Sequence, residues 1–402
     1  LRVLLISDVC FPRVNGVSTS IEVFRREFAA LGVETVLVAP EYPGATDTDP
    51  DLVRIASRTV PFDPEDRAMS WRALRARLAG LESRPFDLVH VQTPFLAHYA
   101  GVKFAMRIDA PCVSTYHTLF EEYLHHYVPL VPKAVMRGIA RALSRRQCAQ
   151  LDALVVPSRP MRDRLLEYGV STPMRIVPTG LVVEPFANGD GAAFRERHGI
   201  GRHVPLLLYV GRVAHEKNIG FLFGVLERVR RACPGAELVV CGEGPALPQL
   251  RHAAASAGLG AAVHFVGYLG RARALVDCYA AADAFVFASL TETQGLVLLE
   301  AMAAGTPVVA IAAMGTSDVL VEGEGALIAP ADADGFAQRV LAVLGDPARR
   351  AALGQAGARY VRDRWSARTM AERLVSYYRD LIEERRGALR GRPLAGVRPS
   401  AQ

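Results

Sequence analysis

Cysteine is scarce and scattered. The six residues Cys10, Cys112, Cys148, Cys233, Cys241 and Cys278 include no Cys-x-x-Cys pair and have no histidine at metal-ligand spacing, which argues against a disulfide frame or a zinc site. Such usage fits a reducing, cytosolic setting. No apolar stretch reaches the roughly 18 residues of a spanning helix. The first residues, LRVLLISDV, enter a strand-like run without a basic region and cleavage site. The expectation is a protein neither secreted nor membrane-spanning. No Gly-x-Gly-x-x-Gly with a following acid marks a dinucleotide site, and no basic face interleaved with aromatics marks a nucleic-acid binder. Acidic residues are missing between Glu122 and Asp152, where Lys133, Arg137, Arg141, Arg145 and Arg146 fall.

What is present is an ordinary globular composition: 402 residues, 50% hydrophobic and 22% charged, with a formal charge of +6. That length allows two cores of ordinary domain size. The positive excess is mild and says little about nucleic acid, because most Lys and Arg sit among acids. A second basic cluster, Arg385, Arg386, Arg390, Arg392 and Arg398, runs into a Gly- and Pro-rich tail, 386–402, expected to be disordered.

Apolar runs alternate with amphipathic stretches: RVLLIS, then the helical STSIEVFRREFAALG, then ETVLVAP, FDLVHVQ, PCVSTYH, LDALVVPS and MRIVPTG. Continuous Val/Leu/Ile runs suit strands covered on both faces, and intervening helices imply parallel pairing. The same grammar restarts with PLLLYVGR, a helix from about Ile219 to Cys233, AELVVCGEG, AVHFVGYL, AFVFASL, TPVVAIAA and GALIAPAD. The fold class is therefore α/β, with two doubly wound parallel-sheet domains in tandem. The first covers 1–185 and the second 186–360, with the boundary in EPFANGDGAAF. One long helical stretch, about Asp346 to Glu384, carries Trp365, Met370, Leu374, Tyr377 and Leu381. Its part from 361 to 385 either caps the second sheet or bridges back to the first domain.

Open parallel sheets bind ligands beyond the carboxyl ends of their strands, so the loops after each strand are the candidates, and a crevice between two such sheets is the natural site. After the first strand, Gly16 precedes a helix start capped by Ser18 or Thr19, where free N–H groups would face an anion. After LLLYVGR, Arg212 and Lys217 bring two cations to one loop, suited to a diphosphate; the plain alternative is a pair of solvated cations with Glu216 as partner.

In TETQGLVLLEAMAAGTP, the residues Gly295, Leu296 and Val297 begin a helix whose unpaired N–H groups suit phosphate. Glu300, one turn further among apolar neighbours, needs donors, and a ribose diol supplies two; a core partner is the alternative. Glu292 lies outside the helix, where sugar hydroxyls would meet it. His117 ends the strand PCVSTYH, and STYHTLFEEYLHHY crowds Tyr116, Tyr123, His125, His126 and Tyr127 into a wall for a sugar or acceptor.

With Glu292-x7-Glu300, Gly295, EAMAAGTPVVA and the earlier GRVAHEKN together, nearly the whole chain resembles glycosyltransferase family 4, retaining enzymes of the GT-B architecture with two facing Rossmann-like domains. The resemblance implies that Gly16 lines the donor phosphate and acceptor side and that His117 touches the transferred sugar. It implies that Arg212 and Lys217 clamp the diphosphate, that Glu292 contacts sugar hydroxyls, that Gly295 to Val297 hold phosphate and that Glu300 binds ribose. Gly242 and Glu243, and Tyr268 and Leu269, would flank the donor and its base. It also implies a retaining hexosyl transfer from a nucleotide-diphosphate sugar in which the leaving diphosphate helps deprotonate the acceptor, with no metal or other cofactor.

Within the family, TYHTLFEEYLHHY looks most like enzymes that glycosylate diacylglycerol and, more loosely, those that mannosylate phosphatidylinositol. A basic helix through Lys133, Arg137, Arg141, Arg145 and Arg146, with Val135, Met136, Ile139 and Leu143 beside them, would suit an anionic membrane surface. The expected partners are a nucleotide sugar, a lipid or glycan acceptor and an anionic membrane surface; the expected place is the cytoplasm, peripheral on the inner face of the plasma membrane. A soluble acceptor, a nucleotide-sugar epimerase of the same architecture and a non-catalytic nucleotide-sugar-binding module are the alternatives. The Asp-Thr-Asp at Asp47 to Asp49 resembles a metal-chelating motif of another glycosyltransferase architecture, but it sits in a loop without that sheet arrangement.

Overall fold

The apolar runs become two parallel sheets in a computed structural model that describes residues 1–44, 48–60, 63–117, 133–270 and 273–390. The first half contains β1 (Arg2–Ile6), β2 (Glu34–Pro40), β3 (Leu52–Ile55), β4 (Ser57–Val60), β5 (Asp63–Met69), β6 (Leu88–Val91), β7 (Cys112–Thr115), β8 (Ala153–Val156) and β9 (Met174–Ile176). Seven of these form one sheet in the order β3-β2-β1-β6-β7-β8-β9, every neighbour parallel. Strands β4 and β5 pair separately as an antiparallel ribbon. The second sheet takes β10 (Leu206–Val210), β11 (Glu237–Cys241), β12 (Val263–Gly267), β13 (Ala284–Phe287), β14 (Val308–Ala310) and β15 (Ala326–Ile328) in the order β12-β11-β10-β13-β14-β15. In each sheet the order runs outward in one direction and then reverses beside the first strand, the Rossmann arrangement whose crevice lies at that reversal. The reversals are β1/β6 and β10/β13.

Burial explains which runs became central strands. All five residues of LLLYV in β10 and all four of LVHV in β6 are buried, as required of a strand covered on both faces. His90 sits inside the β6 run because its ring is satisfied: Nδ1 meets the Tyr378 hydroxyl and Nε2 meets Thr115 Oγ1 at 2.7 Å. The edge strand β3 and strand β4, by contrast, are mostly half-buried or exposed and carry no such pattern.

The helical stretch expected from Asp346 to Glu384 is two helices, Pro347–Arg364 and Ala367–Arg390, broken at Trp365. Ser366 caps the second helix locally, its Oγ accepting from the Thr369 N–H at 3.3 Å, and a distant segment holds the break. The Leu181 N–H donates to the Trp365 carbonyl and the Ala367 N–H to the Leu181 carbonyl, each at 2.8 Å, so these two groups of the turn go to Leu181, while the Trp365 N–H still closes its own helix on the Val361 carbonyl. Gly180 permits the approach, since a Cβ there would stand 2.5 Å from Ala367 Cα. Beyond the break, Met370, Leu374, Tyr378 and Leu381 are buried with Val3, Leu5, Phe28 and Val113 in the first sheet's core.

The chain accordingly divides into two units: residues 1–157, 162–177 and the last helix from Met370 form one, and residues 158–161 with Pro178–Thr369 form the other. The division falls after Val177, earlier than 185, because Thr179 and Leu181 bond within the second unit. Among the described residues no helix is long and apolar enough to cross a membrane.

Candidate active site

In the second unit the site is built on backbone. The N–H of Gly211, just past β10, donates to the Cys241 carbonyl at 3.0 Å, and that of Val213 to the Glu243 carbonyl at 2.8 Å, so the pairing of β10 with β11 continues beyond both strands. Gly242 makes this possible: its φ is 137°, and a Cβ would lie 1.9 Å from the Gly211 carbonyl oxygen. Arg212 is thereby held at the carboxyl end of β10 with its side chain exposed, and its carbonyl accepts from the buried Tyr209 hydroxyl at 3.2 Å. Of the residues expected to flank the base, Glu243 and Tyr268 are exposed and Leu269 packs against the core.

Lys217 closes a short turn, His215–Lys217, and Asn218 follows it with φ 55°. The Asn218 amide donates to the Ala288 carbonyl at 3.2 Å, tying the loop after β10 to the end of β13. Across that tie, Lys217 Nζ lies 2.7 Å from Glu292 Oε1, each side chain about one-fifth exposed (20% and 18%). Lysine's three donors let it neutralise Glu292 and still bond a phosphate oxygen. The Glu292 carbonyl also accepts from the Gly315 N–H at 2.8 Å. The paired cation and acid thus stand at the β10/β13 reversal, where the Rossmann rule puts the ligand.

Gly295 precedes the helix Leu296–Ala303 in the left-handed region, φ 87°, and among the described residues no side chain caps this helix. An uncapped N-terminus keeps its N–H groups and positive dipole end for an anion. Glu300, 3% exposed, has a protein donor: the Tyr279 hydroxyl gives a 2.7 Å hydrogen bond to Oε2. Burial, and next the charge of Glu300, push the Tyr279 hydroxyl pKa well above its ordinary value, so it stays a donor. Tyr279 had no local signal, sitting in the apolar helix Ala274–Ala281.

In the first unit, the helix Gly16–Ala30 is capped by Asn15, not by Ser18 or Thr19. Asn15 Oδ1 accepts from the Ser18 N–H and Ser18 Oγ from the Asn15 N–H, both at 2.9 Å, a reciprocal capping box. Ser18 therefore spends its hydroxyl one turn inside the helix, and Thr19 N–H goes to the Asn15 carbonyl. Gly16 needs neither an unusual φ nor close packing, since nothing lies within 4 Å of a Cβ placed there.

At the end of β7, His117 Nε2 lies 3.1 Å from Gln92 Oε1, which leaves Nδ1 of the neutral ring as an acceptor. One residue on, the Thr93 hydroxyl donates to Asp8 Oδ2 at 2.7 Å, and the Ala97 N–H donates to the same carboxyl at the start of helix Leu96–Ile108. Gln92 and Asp8 were not singled out from the sequence, where each is a lone polar residue after an apolar run.

Burial pushes His117 down to about 4 and His90 down to about 3, and it pushes Asp8 up to about 6. A histidine depressed on folding contributes stability that is present above about 6.5 and is lost as pH falls toward its folded pKa; the raised Asp8 opposes this between about 4 and 6. Two protons against one leave a net loss on acidification. The unfolding free energy measured by urea denaturation is expected to fall between pH 6.5 and 4.5, by on the order of 2 kcal/mol. His90→Gln should flatten that slope; a flat wild-type profile by circular dichroism would contradict it.

The basic helix Lys133–Cys148 exists. Its Arg141 guanidinium stacks over the Tyr168 ring, 5.3 Å from the centroid, and Arg145 runs beside Gly169, so two of the basic side chains lie along the protein's own surface. Arg145 and Arg146 are exposed, as is Ile139. Of the aromatic and histidine wall, Tyr123, His125, His126 and Tyr127 lie outside the described residues, while Tyr116 is buried with its hydroxyl 2.9 Å from Ser144 Oγ; the side chains of Lys133 and Arg137 are outside too, as is the tail from 391, whereas 386–390, expected to be disordered, continues the helix Ala367–Arg390. Asp47 does too, and Asp49 is engaged otherwise, in an ion pair with Arg25 at 2.8 Å.

Two Rossmann-like sheets with cation, acid and open helix N-terminus at the strand-order reversal define a GT-B glycosyltransferase. The chain belongs to glycosyltransferase family 4: residues 14–185 match the family model described as Glycosyltransferase Family 4, and residues 191–360 match that described as Glycosyl transferases group 1. It is 31% identical to the alpha-monoglucosyldiacylglycerol synthase of Streptococcus pneumoniae over 77% of this chain and 71% of that one. It is 33% identical to the GDP-mannose-dependent alpha-(1-6)-phosphatidylinositol monomannoside mannosyltransferase of Mycolicibacterium smegmatis over 96% and 99%. Among solved structures, sucrose-phosphate synthase from Thermosynechococcus elongatus shares the fold, with a TM-score of 0.76, 23% identity, and coverage of 95% and 99%.

Proposed function

We propose that this glycosyltransferase moves a hexose, with retention of configuration, from a nucleotide-diphosphate sugar of the UDP-glucose or GDP-mannose type to a membrane lipid such as diacylglycerol or phosphatidylinositol, without a resident metal. The observation that carries the donor half is the Lys217–Glu292 pair at the β10/β13 reversal, beside the uncapped helix Leu296–Ala303. In this reading Lys217, Arg212 and the N–H groups of Gly295 to Val297 stabilise charge growing on the diphosphate as the bond from C1 breaks. The acceptor oxygen bonds to C1 on the same face, and its proton passes to the leaving diphosphate. Glu292 orients sugar hydroxyls, Glu300 holds ribose, and Gly16 and neutral His117 meet the donor phosphate and the sugar. Gly242, Glu243, Tyr268 and Leu269 flank the base.

The lipid half is supported by the names of the two relatives and by the exposed cations on helix Lys133–Cys148, which suit anionic headgroups at about 1 kcal/mol each. A soluble glycan acceptor is the second reading, supported by 32% identity to the glycogen synthase of Mycobacterium tuberculosis over 87% of each chain. The deciding experiment is a donor screen against a total lipid extract and a panel of soluble sugars, with and without chelator, followed by mass and anomeric analysis. An α-glycolipid formed in chelator is the expected product; products only on soluble sugars, or an absolute need for added divalent ion, would overturn the lipid or the metal-free half respectively.

A further inference from the structure

We propose that Gln294 is a positioning residue: its side chain pins the loop that carries Glu292 and Gly295 to the connection at Thr179, and so sets where the phosphate-facing N–H groups stand. Both ends of the Gln294 amide are used. Its Nε2 donates to the Thr179 carbonyl at 2.6 Å, and its Oε1 accepts from the Thr179 N–H at 2.9 Å. The side chain is 6% exposed, so neither bond is replaced by water at no cost. A primary amide of this length both gives and takes against one residue's backbone, which an ionised carboxylate cannot do.

The loop needs such a tie because its own polar groups do not hold it. Ser289 Oγ and Thr291 Oγ1 are buried and find no hydrogen-bond partner among the described residues. A loop that strands two hydroxyls is held in shape by its surroundings. Among the described residues its ties include Lys217 to Glu292, the Gly315 N–H to the Glu292 carbonyl, and Gln294 to Thr179. The first uses a cation that a diphosphate would share. Gln294 is the side-chain tie that a bound donor leaves alone, and its anchor is firm, because Leu181, two residues after Thr179, is bonded on both sides to the Trp365–Ala367 turn.

The inference rests on the nucleotide-diphosphate reading for its effect on binding, but not for the pin itself. The test uses the full chain with Gln294→Ala and Gln294→Glu, measuring UDP and GDP binding by calorimetry, amide exchange over 291–297 without ligand, and thermal midpoint. Gln294→Ala is expected to speed exchange at Gly295 to Val297 and to weaken diphosphate binding about tenfold. Gln294→Glu should bind as weakly at pH 8 yet recover toward wild type at pH 5.5, where a protonated carboxyl again donates to the Thr179 carbonyl; burial favours that protonation. A residue that merely fills space would lower the thermal midpoint without this pH signature. Unchanged exchange with unchanged affinity overturns the pin. Wild type that binds neither UDP nor GDP defeats the donor reading instead, while faster exchange in Gln294→Ala would still uphold the pin.

Discussion

Lys217→Ala is expected to lower turnover at saturating donor by about 10²- to 10³-fold, the usual effect of deleting one preorganised donor to a developing anion. The expectation follows from place as much as from charge. Lys217 is fixed by the Asn218 tie to the end of β13 and stands 2.7 Å from Glu292, so it cannot drift with solvent as a surface lysine does. Deletion also strands a partly buried Glu292, which destabilises the loop independently of catalysis. The double variant Lys217→Ala/Glu292→Gln separates the two effects. Removing the orphaned charge should restore the thermal midpoint and leave turnover low. Wild-type turnover in Lys217→Ala would remove the diphosphate clamp, and recovery of turnover in the double variant would make the lysine's role purely structural.

Glu300→Ala should weaken nucleoside diphosphate binding by tenfold or more and abolish preference for the ribose over the 2′,3′-dideoxyribose form. Two consequences of the substitution need to be told apart. The Tyr279 hydroxyl loses the acceptor it bonds at 2.7 Å, and a buried unsatisfied hydroxyl costs about 1–3 kcal/mol. In the proposed reading the ribose also loses its carboxylate. Tyr279→Phe makes the comparison, because it removes the protein bond while keeping the acid. It should lower the thermal midpoint and retain discrimination between the two sugars. Calorimetry on the three proteins with both nucleotides decides it: if Glu300→Ala still discriminates, the ribose role is lost.

Much of this was legible because the physics is local. Central strands covered on both faces must be continuously apolar, and β10, β11 and β13 announce themselves that way. The edge strand β3 and strand β4 do not, since half-exposed strands have no such constraint. The candidate acids and cations were legible as types in a loop after a strand. Their partners were not: Lys217 and Glu292 lie in different loops, and Glu300 meets a tyrosine from another helix. The cap on Gly16–Ala30 was misplaced because Asn15 and Ser18 are both good capping residues, and only the backbone conformation says which begins the helix.

The residues alone determined two α/β units and the chemistry available at the ends of their strands, because periodicity, apolar runs and helix punctuation act over a few neighbours. Tertiary structure decided what those residues do to one another. It held the helical break at Trp365, where Leu181 bonds the turn on both sides; it gave Glu300 a tyrosine donor; and it drew Gln294 onto Thr179. Each of those contacts joins positions far apart in sequence, and a hydrogen bond forms only where the whole chain's packing brings its two ends within about 3 Å.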